Sequence, residues 1–184
     1  MKDHFKSIPI INAYRLINHG PTVLITSRLG EKTNIMTAAW QMPVSFKPAL
    51  VAISIGHERF SHEMISKSRE FIINIPHIGM MKEVVCCGTQ SGRDIDKFDV
   101  CKLTSLKAQN VKAPLIEECL GNIECKLHSI HEAGDHTIFI GEVVAASVKE
   151  GIFDNYLRVE LDEAKTLHHL GGKIFCKPDG IELV

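Results

Sequence analysis

Asn34-Ile35-Met36-Thr37-Ala38-Ala39-Trp40, then the apolar run Ala49-Leu50-Val51-Ala52-Ile53, then Ser54-Ile55-Gly56-His57-Glu58-Arg59-Phe60-Ser61-His62: this part of the chain decides its reading. Lys32 to Ala39 reads as a strand, and Ala49 to Ile55, nearly continuous in apolar residues, reads as a second strand buried on both faces. The mixture around them suits a planar aromatic ligand with an anionic tail. Met36, Ala38 and Ala39 would line an apolar slot beside a flat ring, Thr37 adds a hydroxyl, and Trp40 packs near the ring or the core. Arg59 offers a planar fork of donors that matches a phosphate. Ser61 adds a hydroxyl and His62 a donor, and a helix capped by Ser61 would turn its free N–H groups toward an anion. Gly56 lets the backbone approach a ligand closely. Composition alone does not separate this reading from an ordinary strand with a buried tryptophan and a solvated loop with a capping serine.

Outward from this stretch, short β-rich runs alternate with turns. Pro21 to Ser27 reads as a strand whose antiparallel partner is Lys32 to Ala39, across a Leu29-Gly30-Glu31 turn. Glu70 to Ile75 is a strand stopped by Pro76. His62 to Lys67 and Ile78 to Cys87 read as helices, the second stopped by Gly88. Gly92 to Phe98 is a turn leading into a short helical or irregular piece. Asn122 to Ile130 and Thr137 to Val148 are strands joined through Gly134-Asp135-His136, and Tyr156 to Leu161 is an additional edge-strand candidate. His136, just past that turn, is either structural or a contact for a second ligand. Asp96-Lys97-Phe98 either brings the Lys97 ammonium to a phosphate or is a surface turn with Phe98 packing inward. Many short strands with few helices predict a mainly β, antiparallel barrel decorated by helices. No Gly-x-Gly-x-x-Gly turn follows the first strand, which argues against a Rossmann site.

The bulk numbers fit one domain over 1–184. The 184 residues are 45% hydrophobic and 23% charged, so a core forms without staples. Lys plus Arg (21) balances Asp plus Glu (22), against a large nucleic-acid footprint. The charged Met1-Lys2-Asp3-His4-Phe5-Lys6 start is unlike a signal peptide, and no apolar run is long enough for a bilayer, so a cytoplasmic protein is expected. The six cysteines form no paired CxxC motifs, so they are expected to be reduced and small packing residues, with a redox role at one of them left open. The histidines lack carboxylate or cysteine partners at ligand spacing, so no metal site is expected. No nucleophilic catalytic set is present in the pattern either.

An ordered series of segments resembles the flavin reductase-like family, the FMN-binding split-barrel proteins, and its flavoredoxin-like branch in particular. The series is Asn34-Ile-Met-Thr37-Ala38-Ala-Trp40; Pro43-Val44-Ser45 with Pro48; Ser54-Ile55 followed by Arg59-x-Ser61-His62; Phe71-Ile-Ile-Asn74-Ile75-Pro76; Asp96-Lys97-Phe98; Glu124-Cys125; Gly134-Asp135-His136; Gly141-Glu142-Val143; and the closing Leu170-Gly171-Gly172-Lys173-Ile174-Phe175. The resemblance implies a split β-barrel with a Greek-key core, and FMN bound tightly but noncovalently in a homodimer whose partner helps enclose it. It implies Met36, Thr37, Ala38, Ala39 and Trp40 along the isoalloxazine and ribityl chain, with Ser54, Ile55 and Gly56 continuing the wall. Arg59, Ser61, His62 and Lys97 would hold the phosphate, and His136 would lie near a nicotinamide. Gly56-His57-Glu58 departs from the commoner basic loop of the family. The expected activity is electron transfer between NADH, NADPH or a redox protein partner and an acceptor. A ferric reductase and a non-catalytic FMN-binding protein are the alternatives. In such proteins the flavin carries the redox chemistry, so no dedicated acid–base residue is required.

Overall fold

The computed structural model describes residues 6–182; the charged 1–5 segment lies outside the described residues. A 3-10 turn at Ile10–Leu16 precedes strands β1 (Val23–Leu29), β2 (Lys32–Ala38), β3 (Gln41–Phe46) and β4 (Ala49–Gly56). Helix α1 (Phe60–Ser68), β5 (Glu70–Ile75), α2 (Met81–Thr89) and α3 (Lys97–Val100) follow. Two short strands, β6 (Ser105–Leu106) and β7 (Leu115–Ile116), lead into the long hairpin of β8 (Gly121–Ala133) and β9 (His136–Val148). A terminal hairpin, β10 (His168–Gly171) and β11 (Ile174–Cys176), closes the chain.

Seven strands form one sheet in the order β2-β1-β5-β8-β9-β4-β3, with every neighbouring pair antiparallel. The sheet curls on itself, because β1 and β4, each next to one of its ends, feed one core. Val23 and Ile25 of β1, Ile53 and Ile55 of β4, Phe71 and Ile73 of β5, and Phe139 of β9 pack together with Ile65 of α1. The period of two in β1 turns Leu24 the other way, into a second core where Ile35 meets Val84 and Cys87 of α2 and Leu167 of the tail. One strand therefore serves two layers, and α2 is fastened across the outer face of β1 and β2.

Several local expectations are corrected. Ser61 is not a cap: Arg59 is the N-cap residue of α1 and no side chain caps it, while Ser61 is buried inside the first turn. Gly88 lies within α2 rather than ending it. Tyr156 to Leu161 is not a strand; only an isolated bridge, Phe153 to Leu157, forms there. β4 is buried on both faces only in its second half. Cys86 and Cys101 are joined as a disulfide, with Cα atoms 5.8 Å apart, instead of standing as two free thiols.

Candidate functional site

The barrel is open along one seam. β2 ends the sheet on one side and β3 on the other, and only the Ala39-Trp40 corner links them. The pairing of β3 with β4 stops at Gln41–Ile53, so Ser54, Ile55 and Gly56 run on beyond it. The outer edge of β2 and this end of β4 thus face the seam with backbone groups that no strand pairs, although the Ser54 N–H donates to the Trp40 carbonyl at 2.9 Å and the Gly56 carbonyl accepts from the Arg59 N–H at 3.0 Å. Edge backbone of this kind is a ready row of donors and acceptors. A cavity of about 440 Å³ fills the seam, a size suited to a cofactor.

The cavity wall contains Met36, Thr37, Ala38, Ala39 and Trp40 from β2 and its corner, and Ser54, Ile55 and Gly56 from β4. Arg59 and Ser61 from the start of α1, Lys97 from α3 and His136 from β9 complete the set that sequence reasoning proposed. His62 is the exception. Its ring turns away to Thr137, with Nε2 2.8 Å from Oγ1, and packs edge-on against Phe139. The helical turn that points Ser61 inward points its neighbour into the barrel wall.

Sequence reasoning missed Asn34 as a wall residue in its own right, together with Glu58, Phe60 and the segment from Cys87 to Gly92. The Gly88-Thr89-Gln90-Ser91-Gly92 run carried a signal, being small and polar between two glycines. Its approach is close. A Cβ on Gly92 would fall 2.0 Å from Asn34 Oδ1, and one on Gly88 would sit 3.2 Å from Thr37 Cβ. Only glycine lets this segment lie against β2.

Polar groups of the wall are held in place. Asn34 Nδ2 donates to Ser61 Oγ at 2.8 Å, while Asn34 Oδ1 is buried and has no partner. Thr37 Oγ1 donates to the Val84 carbonyl at 2.6 Å, so its lone pairs alone remain for a ligand. Lys97 is 5% exposed, and its Nζ donates to the Ile35 and Cys87 carbonyls at 2.7 and 2.6 Å. No carboxylate among the described residues pairs with it. Burial pulls its ammonium below the ordinary lysine value; Cys87 opposes that and the Arg59 charge adds to it. Arg59 itself is mostly exposed, and its Nε lies 2.9 Å from Glu58 Oε1. Cys87 is a thiol, not a thiolate, because burial pushes it up to about 11.

One end of the cavity wall is aromatic. Trp40 and His136 lie with centroids 4.9 Å apart and planes 31° from parallel, and Tyr14 meets Trp40 edge-on at 5.6 Å. With the Asn18 amide oriented to satisfy both neighbours, it accepts from Trp40 Nε1 at 2.9 Å and donates to the Ala39 carbonyl at 2.7 Å. The indole is pinned by a hydrogen bond while its face stays at the cavity mouth.

A curled antiparallel sheet of this order, split along one seam and holding a cavity in the split, defines the split-barrel class. Residues 15–169 match the flavin reductase like domain family, and the chain belongs to that family. An uncharacterised protein, YddH of Escherichia coli K12, is 39% identical over 177 residues, spanning 93% of each chain. An NADH-dependent FAD reductase of Streptomyces globisporus is 30% identical over 135 residues, covering 72% of this chain and 73% of that one. An FMN-binding protein of Thermus thermophilus, solved with bound p-hydroxybenzaldehyde, superimposes with a TM-score of 0.83 at 25% identity, over 100% of this chain and 99% of that one.

Proposed function

We propose that the chain binds FMN noncovalently in the seam and passes electrons from a reduced nicotinamide nucleotide to an acceptor. The observation that carries the reading is the pairing of two unmet demands in one cavity. Among the described residues, Lys97, which shares the cavity wall with Arg59, is a buried cation with no carboxylate, and Asn34 Oδ1 is a buried acceptor with no donor. A phosphate answers the first and a ribityl hydroxyl the second. The flat, apolar wall at Met36, Ala38 and Trp40 suits the isoalloxazine ring, and the outer edge of β2, which no strand covers, suits its carbonyl and nitrogen atoms. When bound, the flavin supplies the capacity to accept and release electrons. The chain's own part is to bind, orient and shield it. His136, tilted against Trp40 in the cavity wall, is the residue we assign to the nicotinamide, and the NADH-dependent relative from Streptomyces globisporus supports NADH as the donor.

The test is an anaerobic titration of FMN-loaded protein with NADH and with NADPH, followed at the flavin absorbance. Bleaching at one equivalent of nucleotide is expected. Protein that takes up no FMN would sink the reading; bound flavin that neither nucleotide reduces would move it to an electron carrier fed by a redox protein.

A homodimer is part of the same proposal. Edge strand β3 exposes Met42, Val44 and Phe46, the last at 95%, on a strand with free pairing groups. An apolar edge of this kind favours a second copy. Light scattering of the purified protein should return twice the mass of one chain.

A further inference from the structure

The Cys86–Cys101 disulfide is outside the chemistry described so far, yet it borders the cavity. Cys86 lies in the last turns of α2 and Cys101 directly after α3. The segment that the bond closes contains the cavity wall from Cys87 to Gly92 and also Lys97. The contact is direct: Gln90, a wall residue, directs its Nε2 at Cys86 Sγ, 3.7 Å away. Cys86 is only partly buried, so a reductant can reach it, while Cys101 sits in the core beneath α2.

We propose that Cys86 and Cys101 are a reversible redox-modification site that sets how firmly the seam holds its ligand. The inference rests on the FMN reading above. Oxidised, the bond fixes the end of α2 to the end of α3 and holds the wall between them closed. A dithiol reductant gives up two electrons and two protons; the S–S bond breaks, two thiols form, and the dithiol leaves as its own disulfide. The wall is then tied down by weaker links: the two carbonyl bonds of Lys97, the Arg93–Glu63 ion pair at 2.8 Å, and the Asp96 cap of α3. These links keep the segment folded but let Gly88 to Gly92 move, so bound ligand must order it again. Reduction therefore favours release.

The experiment uses the full chain, oxidised, then reduced with dithiothreitol and freed of it under argon, with Cys86→Ser and Cys101→Ser alongside. FMN affinity is measured in each, and trypsin cleavage after Arg93 is timed without flavin. Reduced protein should bind FMN on the order of tenfold more weakly, the cost of immobilising one or two wall side chains. Both variants should bind at the reduced level whatever the reductant, and Arg93 should be cut faster after reduction. An FMN affinity indifferent to reduction overturns the proposal, as does oxidised protein in which both thiols remain alkylatable. Failure to bind FMN in either state overturns the cofactor reading instead; the trypsin readout then decides the clamp, and equal cleavage rates refute it.

Discussion

Arg59 shows how a residue's neighbours set its role. Its guanidinium lies at the cavity wall but already meets Glu58, and both side chains are largely in solvent. Replacing Arg59 with Ala should therefore weaken FMN binding by about 1.5 kcal/mol, the low end for a bond to a charged group, because solvent and Glu58 screen it. Riboflavin, which lacks the phosphate, should bind the variant as it binds the wild type; parallel fluorescence titrations separate the two. Glu58→Gln should act oppositely and tighten FMN, since it frees the fork. Asn34 and Ser61 are a different case, both buried. Ser61→Ala strands the Asn34 amide without its acceptor and should cost about 1–3 kcal/mol of stability, read from urea unfolding. The pattern around Asn34 marked the region but not the bond, because a contact between residues 27 apart in sequence leaves no periodic trace.

At the scale of elements, legibility followed from how much of each signal was local. β5 ends where Pro76 removes a donor, and the β1–β2 hairpin turns at Gly30, at φ 60°; both were readable. β3 was hidden because Pro43 and Pro48 argue against a strand, and an edge position with a register shift between Pro43 and Ser45 is what tolerates the first of them. Ser61 was mistaken for a cap because a serine one residue inside a helix looks the same in sequence as one before it. The β10–β11 hairpin and the disulfide depend on tertiary placement, which spacing does not encode. β9 carries a testable consequence. A Cβ on Gly141 would fall 2.6 Å from Phe71 Cζ and 2.9 Å from Cys125 Cβ, in the middle of the barrel core. Gly141→Ala should destabilise the fold by about 1–3 kcal/mol through overpacking, seen as a lower urea midpoint with an unchanged slope.

For the molecule as a whole, the barrel wall contains a titrating group. His62 is held below its ordinary value of 6.5, first by burial and then by the nearby His57 charge, with Glu132 and Glu58 opposing. Between its folded value and 6.5 the unfolded chain binds more protons, so stability is lost as pH falls below 6.5 through the folded value. Urea midpoints should drop between about pH 7.5 and pH 5.5, and His62→Gln should flatten the drop. Which residues line the cavity was largely legible because its wall is built from consecutive edge-strand residues; the segment from Cys87 to Gly92 was not, since it reaches the seam only through the packing of α2 on β2.

Trp40 is the single tryptophan of the chain, and it stands at the cavity mouth, 40% exposed, with its N–H pinned and His136 over its face. All indole emission from a monomer therefore originates at the seam. The protein carries its own fluorometer: a flat, absorbing guest beside that ring will quench it, whereas ligands settling elsewhere will leave the light unchanged.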